Sequence, residues 1–140
     1  VSLTEIDHIV LLVRDIDEAI QIWERLGFKL SYRVHLDDVG LAQAFFILVD
    51  GTFIELIAPT AQDNIYAEML REKGEGLRLL SFRVDDLDEA VADLLQKGVT
   101  LRGVGTPRVF IEPESASGML IQLWPKDRPH RWRDNLEQKS

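Results

Sequence analysis

The sequence predicts an α+β fold built from two tandem βαβββ modules that share one groove. Three observations predict it. Residues 6–30 and 77–101 are two copies of one pattern at a constant offset of 71 residues, IDHIVLLVRDIDEAIQIWERLGFKL against LRLLSFRVDDLDEAVADLLQKGVTL. Val13/Val84, Asp15/Asp86, Asp17/Asp88, Glu18/Glu89, Ala19/Ala90, Gly27/Gly98 and Leu30/Leu101 are identical between the copies without a gap. Each copy also passes from a short apolar strand into a segment with helical spacing, and strand-like segments follow. Two like modules usually pack about a pseudo-twofold axis, and the groove between them is where a ligand can sit.

The elements follow in order. Residues 6–13 and 77–84 are apolar strands. Asp15-Ile-Asp17-Glu18 and Asp86-Leu-Asp88-Glu89 then place acids at an N-cap and first turn, where unpaired N–H groups and the helix dipole favour negative charge. Ile16, Ala19, Ile20 and Trp23 recur at helical spacing, as do Leu87, Ala90, Val91, Leu94 and Leu95. Gly27 and Gly98 suit left-handed helix ends, and FKLSYRV and VTLRGV leave them as strands. In the first copy, Leu41 to Val49 and Thr52 to Ala58 read as a hairpin closed by Asp50-Gly51. In the second, Arg108 to Ile111 and Met119 to Trp124 are joined by the longer loop EPESASG. The chain 1–140 thus divides into module one (4–58), a linker with a helix over Asn64 to Lys73 (59–76), module two (77–125) and a polar tail (126–140) carrying Arg128, Arg131, Trp132 and Arg133.

Composition narrows the function. With 24 acidic against 16 basic residues the net charge is −8, which disfavours nucleic-acid and anionic-membrane binding. Without cysteine there is no disulfide framework and no thiolate nucleophile or ligand. No apolar run approaches the ~18 residues of a membrane span, and no signal peptide is visible, so a cytoplasmic protein with a small-molecule partner is expected.

Strand alternation selects the groove face. His8, Val10 and Leu12 share one face of the first strand, with Asp7, Ile9, Leu11 and Val13 opposite. Phe53, Glu55 and Ile57 share a face of the fourth strand; a carboxylate between Ile54 and Leu56 is unusual, because a buried charge needs a partner. Its counterpart in the second copy is Gln122, and His8 is matched by Leu79. An imidazole, a carboxylate and an amide on neighbouring strands can hold a divalent metal and leave positions open for water or substrate. The alternative is structural: Glu55 bonded to Gln122, and His8 a satisfied core histidine. Ser81 and Arg83 share the face of Leu79, and Tyr32 and His35 are further groove candidates. Arg83 can fork onto a carboxylate or phosphate of a ligand, or simply pair with a nearby acid. Phe45, Phe53, Leu120 and Trp124 supply an apolar wall or simply core. The tail cluster around Trp132 reads as a solvated or dimer-contacting extension, with a lid over the groove as the alternative.

The chain resembles the vicinal oxygen chelate superfamily of glyoxalases, bleomycin-resistance proteins, extradiol dioxygenases and methylmalonyl-CoA epimerases. IDHIVLLVRDIDEAIQIWERLGF looks like its opening strand and helix. GEGLRLLSFRVDDLDEA, APTAQDNIYAEMLREKGEG and EPESASGMLIQLW are most similar to the epimerase branch. The resemblance covers the chain to about Lys126 and implies paired modules around a U-shaped cup, usually with a divalent metal (Zn, Co, Ni or Mn) on its floor, and a homodimer. It places the first metal histidine on His8 and the fourth-strand ligand on Glu55. The second metal histidine falls on Leu79, which has no electron pair to give, and the last glutamate ligand falls on Gln122. The epimerase base falls on Gln43, which cannot take a proton at neutral pH. His8, Glu55 and Gln122 are left as an open three-ligand set. The resemblance implies an isomerase or lyase that stabilises an enolate of an acyl-CoA or 2-oxo compound, with Glu55 as base where no metal binds. The changes at Leu79 and Gln43 favour the alternative, a metal-free protein that sequesters a small molecule.

Overall fold

The computed structural model describes residues 3–130. Its order is β1 (Ile6–Leu12), α1 (Ile16–Arg25), β2 (Tyr32–Leu36), β3 (Leu41–Ile47), β4 (Phe53–Pro59), α2 (Ile65–Lys73), β5 (Gly76–Val84), α3 (Leu87–Gln96), β6 (Leu101–Arg102), β7 (Val109–Ile111) and β8 (Ile121–Pro125). A 3₁₀ turn over Pro113–Ser115 lies within the loop EPESASG. The eight strands form one open sheet in the order β2-β3-β4-β1-β5-β8-β7-β6. The second half of that order repeats the first in reverse, which is the imprint of the duplication. β1 pairs parallel with β4 and β5 with β8, while β1 and β5 meet antiparallel at the centre.

The helix signals work as chemistry. Asp15 and Asp86 accept from the backbone N–H of Glu18 and Glu89, capping α1 and α3. Past their ends Gly27 and Gly98 take φ of +104° and +80°, a region that penalises any side chain with a Cβ. Asn64 is the cap of α2 rather than its first residue, accepting from the N–H of Ala67. The strands that leave the two glycines are shorter than the apolar patterns: β2 starts only at Tyr32 and β6 is a two-residue edge.

The sheet is covered on both sides of module one. α1 packs Ile16, Ala19 and Ile20 against Ala42, Ala44, Phe46, Ile54, Leu56 and Ala58. The opposite side of the same strands carries Val10, Leu12, Leu41 and Ile57, capped by Tyr66, Met69 and Leu70 of α2. In module two α3 covers Val84, Val109, Ile111 and Leu123. The linker helix therefore floors one end of the groove face, and the site lies beyond it.

Candidate functional site

A polar row crosses the centre of the sheet on its groove face. Phe53 stands opposite His8, His8 opposite Ser81, Ser81 opposite Gln122, and Gln122 opposite Phe110. One step along the strands, Phe45, Glu55, Val10 and Leu79 form the next row. The middle of the first row is closed to solvent: His8 is 4% exposed, Ser81 0% and Gln122 7%. Tyr32 joins this face, stacked beside Phe45 at 6.2 Å. His35 does not: it pairs with Ala42 on the α1 side and is exposed next to Arg33, because the residue parity of β2 puts it opposite Tyr32.

Asp7 overturns the simple alternation that set it opposite His8. Ile6 pairs with Phe82 and His8 with Ser81, so β1 carries one extra residue there, a bulge that re-aims the Asp7 side chain. Asp7 Oδ2 lies 2.6 Å from His8 Nδ1 and 2.8 Å from His130 Nε2. Its Oδ1 accepts from Arg83 Nε at 3.0 Å. Burial works against the Asp7 charge, but hydrogen bonds from His130 and His8, the charge of His130 and the Arg83 bond outweigh it and hold the carboxyl well below the usual range. An ionised carboxylate only accepts, so each imidazole carries its proton on the nitrogen facing Asp7. With Nδ1 turned to Asp7, Nε2 is the ring nitrogen left for another partner, the orientation that a carboxylate imposes on a metal-binding histidine.

Arg83 is spent on this hub. Besides Asp7 it donates from Nη2 to the Gly51 carbonyl at 3.2 Å, bracing the β3–β4 hairpin. Of its two readings from sequence, pairing with a nearby acid is the one observed.

Pro125 to His130 bring His130 back over the row, against His8, Phe53 and Asp7. Trp124 Nε1 donates to the Arg128 carbonyl at 2.9 Å, and the Arg128 guanidinium covers the Trp124 ring at 4.4 Å. Lys126 is tied to Glu5 and Asp85. His130 stacks on Trp124 at 4.2 Å and meets the edge of Phe53 at 4.8 Å, while His8 stacks flat on Phe53 at 4.4 Å. Arg131, Trp132 and Arg133 lie outside the described residues. Asp7 and His130 escape a sequence reading because neither faces the groove by period; the only signal was that His130 is one of three histidines in an acidic chain.

Glu55 is half-buried and accepts from Gln43 Nε2 at 3.0 Å, so its partner is Gln43 and not Gln122. Desolvation raises its pKa, against the opposing pull of His8 and the Gln43 bond. The Gln43 amide thus steadies a carboxylate that favours its protonated form more than an exposed one would. Leu79, at the position where the resemblance expects a histidine, is partly buried and packs against Val10, Leu12, Leu41 and Ile57.

Two donor sets invite comparison for a divalent ion. Asp7, His8 and His130 bring their ligand atoms within 4.8 Å of one another. Their contacts of 2.6 and 2.8 Å are hydrogen bonds, shorter than the roughly 3.3 Å between tetrahedral ligands at ~2.0–2.1 Å from a metal, so this triad reads as a hydrogen-bonded hub. His8, Glu55 and Gln122 are the set that the resemblance implies, and their chemistry suits an ion. The first is oriented by Asp7 through Nδ1, the second is a desolvated carboxylate, and between His8 and Gln122 lies the buried Ser81 Oγ, with no hydrogen-bond partner among the described residues.

Comparison with known proteins places this geometry. Residues 7–112 match the model of the glyoxalase/bleomycin resistance protein/dioxygenase superfamily. The human mitochondrial methylmalonyl-CoA epimerase is 28% identical over 131 residues, spanning 87% of this chain and 74% of that protein. Among solved structures, the methylmalonyl-CoA epimerase of Mycobacterium tuberculosis aligns at a TM-score of 0.72 with 31% identity, covering 95% of this chain and 93% of that one. A variant of the Streptomyces coelicolor epimerase in complex with 2-nitronate-propionyl-CoA aligns at a TM-score of 0.72 with 27% identity, covering 91% and 100%. The chain, with its duplicated strand order and its His8/Glu55 groove, belongs to the glyoxalase/bleomycin resistance protein/dioxygenase superfamily.

Proposed function

We propose that the protein is a small-molecule enzyme of the glyoxalase/epimerase type that forms an enolate from an acyl-CoA thioester. The observation that carries this reading is the Glu55–Gln43 pair on the groove face beside His8, in a chain similar to methylmalonyl-CoA epimerases. A divalent ion, held by His8 Nε2, one oxygen of Glu55 and the amide oxygen of Gln122, would supply a Lewis acid that polarises a carbonyl. The chain's own residues do the rest. Asp7 fixes the His8 tautomer, Gln43 holds Glu55 through Oε2, and Phe45, Phe53 and Trp124 exclude water. Where no ion binds, Glu55 is the proton acceptor, and burial makes it a stronger base than a solvated carboxylate. A homodimer is part of this reading on the family resemblance.

One observation favours a second reading, a metal-free binder: Leu79 has joined the apolar cluster and Gln43 is neutral. A single experiment separates the two. The full chain is incubated in D₂O with methylmalonyl-CoA or propionyl-CoA, with and without Zn, Co, Ni or Mn, and deuterium at the α-carbon is followed by mass spectrometry. Enolate chemistry gives exchange that is lost in Glu55→Gln and reduced in His8→Ala. Tight binding without exchange supports the binder, and exchange that survives both substitutions sinks the proposed site.

A further inference from the structure

The Ser81 hydroxyl is a fully buried polar group on the row that no described residue answers. Serine there is fully buried, its Oγ makes no hydrogen bond among the described residues, and its neighbours across the strands are His8 and Gln122. No described residue donates to or accepts from the Gln122 amide either. A buried hydroxyl without a partner weakens a fold, and such groups in native proteins are normally completed by a water, an ion or a ligand atom. Alanine would fill the same place on β5 without that penalty. Serine and glutamine offer O–H and N–H donors with no charge, side by side on paired strands about 4.8 Å apart, close enough to converge on a single atom. Neutral convergent donors suit an oxygen that carries or develops negative charge, as a carbonyl does on becoming an enolate.

We propose that Ser81, with the Gln122 amide, is the docking point for the carbonyl oxygen of an acyl thioester. This rests on the acyl-CoA reading above. Ser81 lies two residues from Leu79 on the same face of β5, and its cross-strand neighbours are His8 and Gln122. The thioester oxygen accepts from Ser81 Oγ while its α-carbon is turned toward Glu55, one strand beyond His8.

The test uses the full chain, Ser81→Ala and propionyl-CoA carrying a ¹³C-labelled carbonyl. Three results are expected. Unliganded Ser81→Ala melts at or above the wild-type temperature, since an unpaired hydroxyl is gone. Its calorimetric Kd for propionyl-CoA rises about tenfold. The carbonyl stretch of the bound thioester, lowered in the wild type by hydrogen bonding, returns toward its solution frequency in the variant. A Ser81→Ala chain that melts lower and binds propionyl-CoA with unchanged Kd and carbonyl frequency makes Ser81 structural and overturns the assignment alone. A wild-type chain that does not bind propionyl-CoA with or without divalent metal overturns the acyl-CoA reading, and the assignment with it.

Discussion

Asp7→Asn removes a charge while keeping the size and shape of the side chain, so its effect measures what the hub contributes. The wild-type carboxylate accepts from His8, His130 and Arg83 at 2.6, 2.8 and 3.0 Å. An asparagine has one acceptor oxygen and an NH₂ that must point at one of these donors. Charge-assisted hydrogen bonds contribute ~1.5–3 kcal/mol each, and unpairing a buried charge costs ~3–5 kcal/mol. The Arg83 side chain is 27% exposed, so water makes good part of that loss. The working figure is about 3 kcal/mol, a loss of roughly 10 °C in melting temperature for a domain of this size. The pH dependence carries the sign. The folded pKa of Asp7 is depressed, so its stabilisation is complete above the unfolded carboxylate value of ~3.9 and is lost as pH falls from there through the folded value. The stability gap between wild type and Asp7→Asn, read by urea unfolding, is therefore constant from pH 7 to about 5 and narrows below pH 4. A gap under about 1 kcal/mol at pH 7, or one that does not change with acidification, would refute the hub.

Three further outcomes follow from the same geometry. Glu55→Gln should abolish α-deuterium exchange yet stabilise the fold at pH 7: a carboxyl whose folded pKa is raised stabilises only at low pH and loses that as pH climbs through the folded value, so the variant's advantage should vanish near pH 4 in thermal melts. His130→Ala should unpin the strap, and modification of His8 by diethyl pyrocarbonate, followed by mass spectrometry against the exposed His35, should accelerate about tenfold or more from its protected rate, whereas an unchanged rate would show that the strap does not cover His8. Leu79→His should strengthen Zn or Co binding at least about tenfold by calorimetry, at a stability cost of ~2–3 kcal/mol from lost packing with Val10, Leu12, Leu41 and Ile57.

The fold was legible because its signals are local. Acid caps, terminal glycines and a repeated apolar pattern each act within a few residues, and the repeat carried the strand order. Edges were less legible: β6 is short because Leu101 and Arg102 pair only with the three-residue β7, a tertiary fact absent from VTLRGV. The row was half legible. His8, Glu55 and Gln122 follow from parity and resemblance, and their shared face is register made visible. The partners were not, because they depend on departures from parity. Asp7 reaches His8 only through a bulge, Arg83 is claimed by Asp7 rather than by the groove, and His130 arrives from a segment with no periodicity at all.

The two copies have diverged in a direction that bears on chemistry. At matched positions module one keeps His8 and Glu55 where module two has Leu79 and Gln122, so charge and coordinating power are concentrated on β1 and β4. A symmetric four-ligand cup would hold its ion from both halves. In the proposed reading the first half would supply the imidazole and the carboxylate, while β5 and β8 carry the neutral Ser81 and Gln122. Such asymmetry weakens an ion's hold but leaves one side of the groove suited to a polarised oxygen and the other to a proton. In the proposed reading, a thioester set across β1 with its oxygen toward Ser81 and its α-carbon toward Glu55 would use both halves. Asp7 holds the His8 ring through Nδ1, so in the proposed reading Nε2 is the nitrogen that would meet an ion, while the thioester oxygen takes its donors from Ser81 and Gln122.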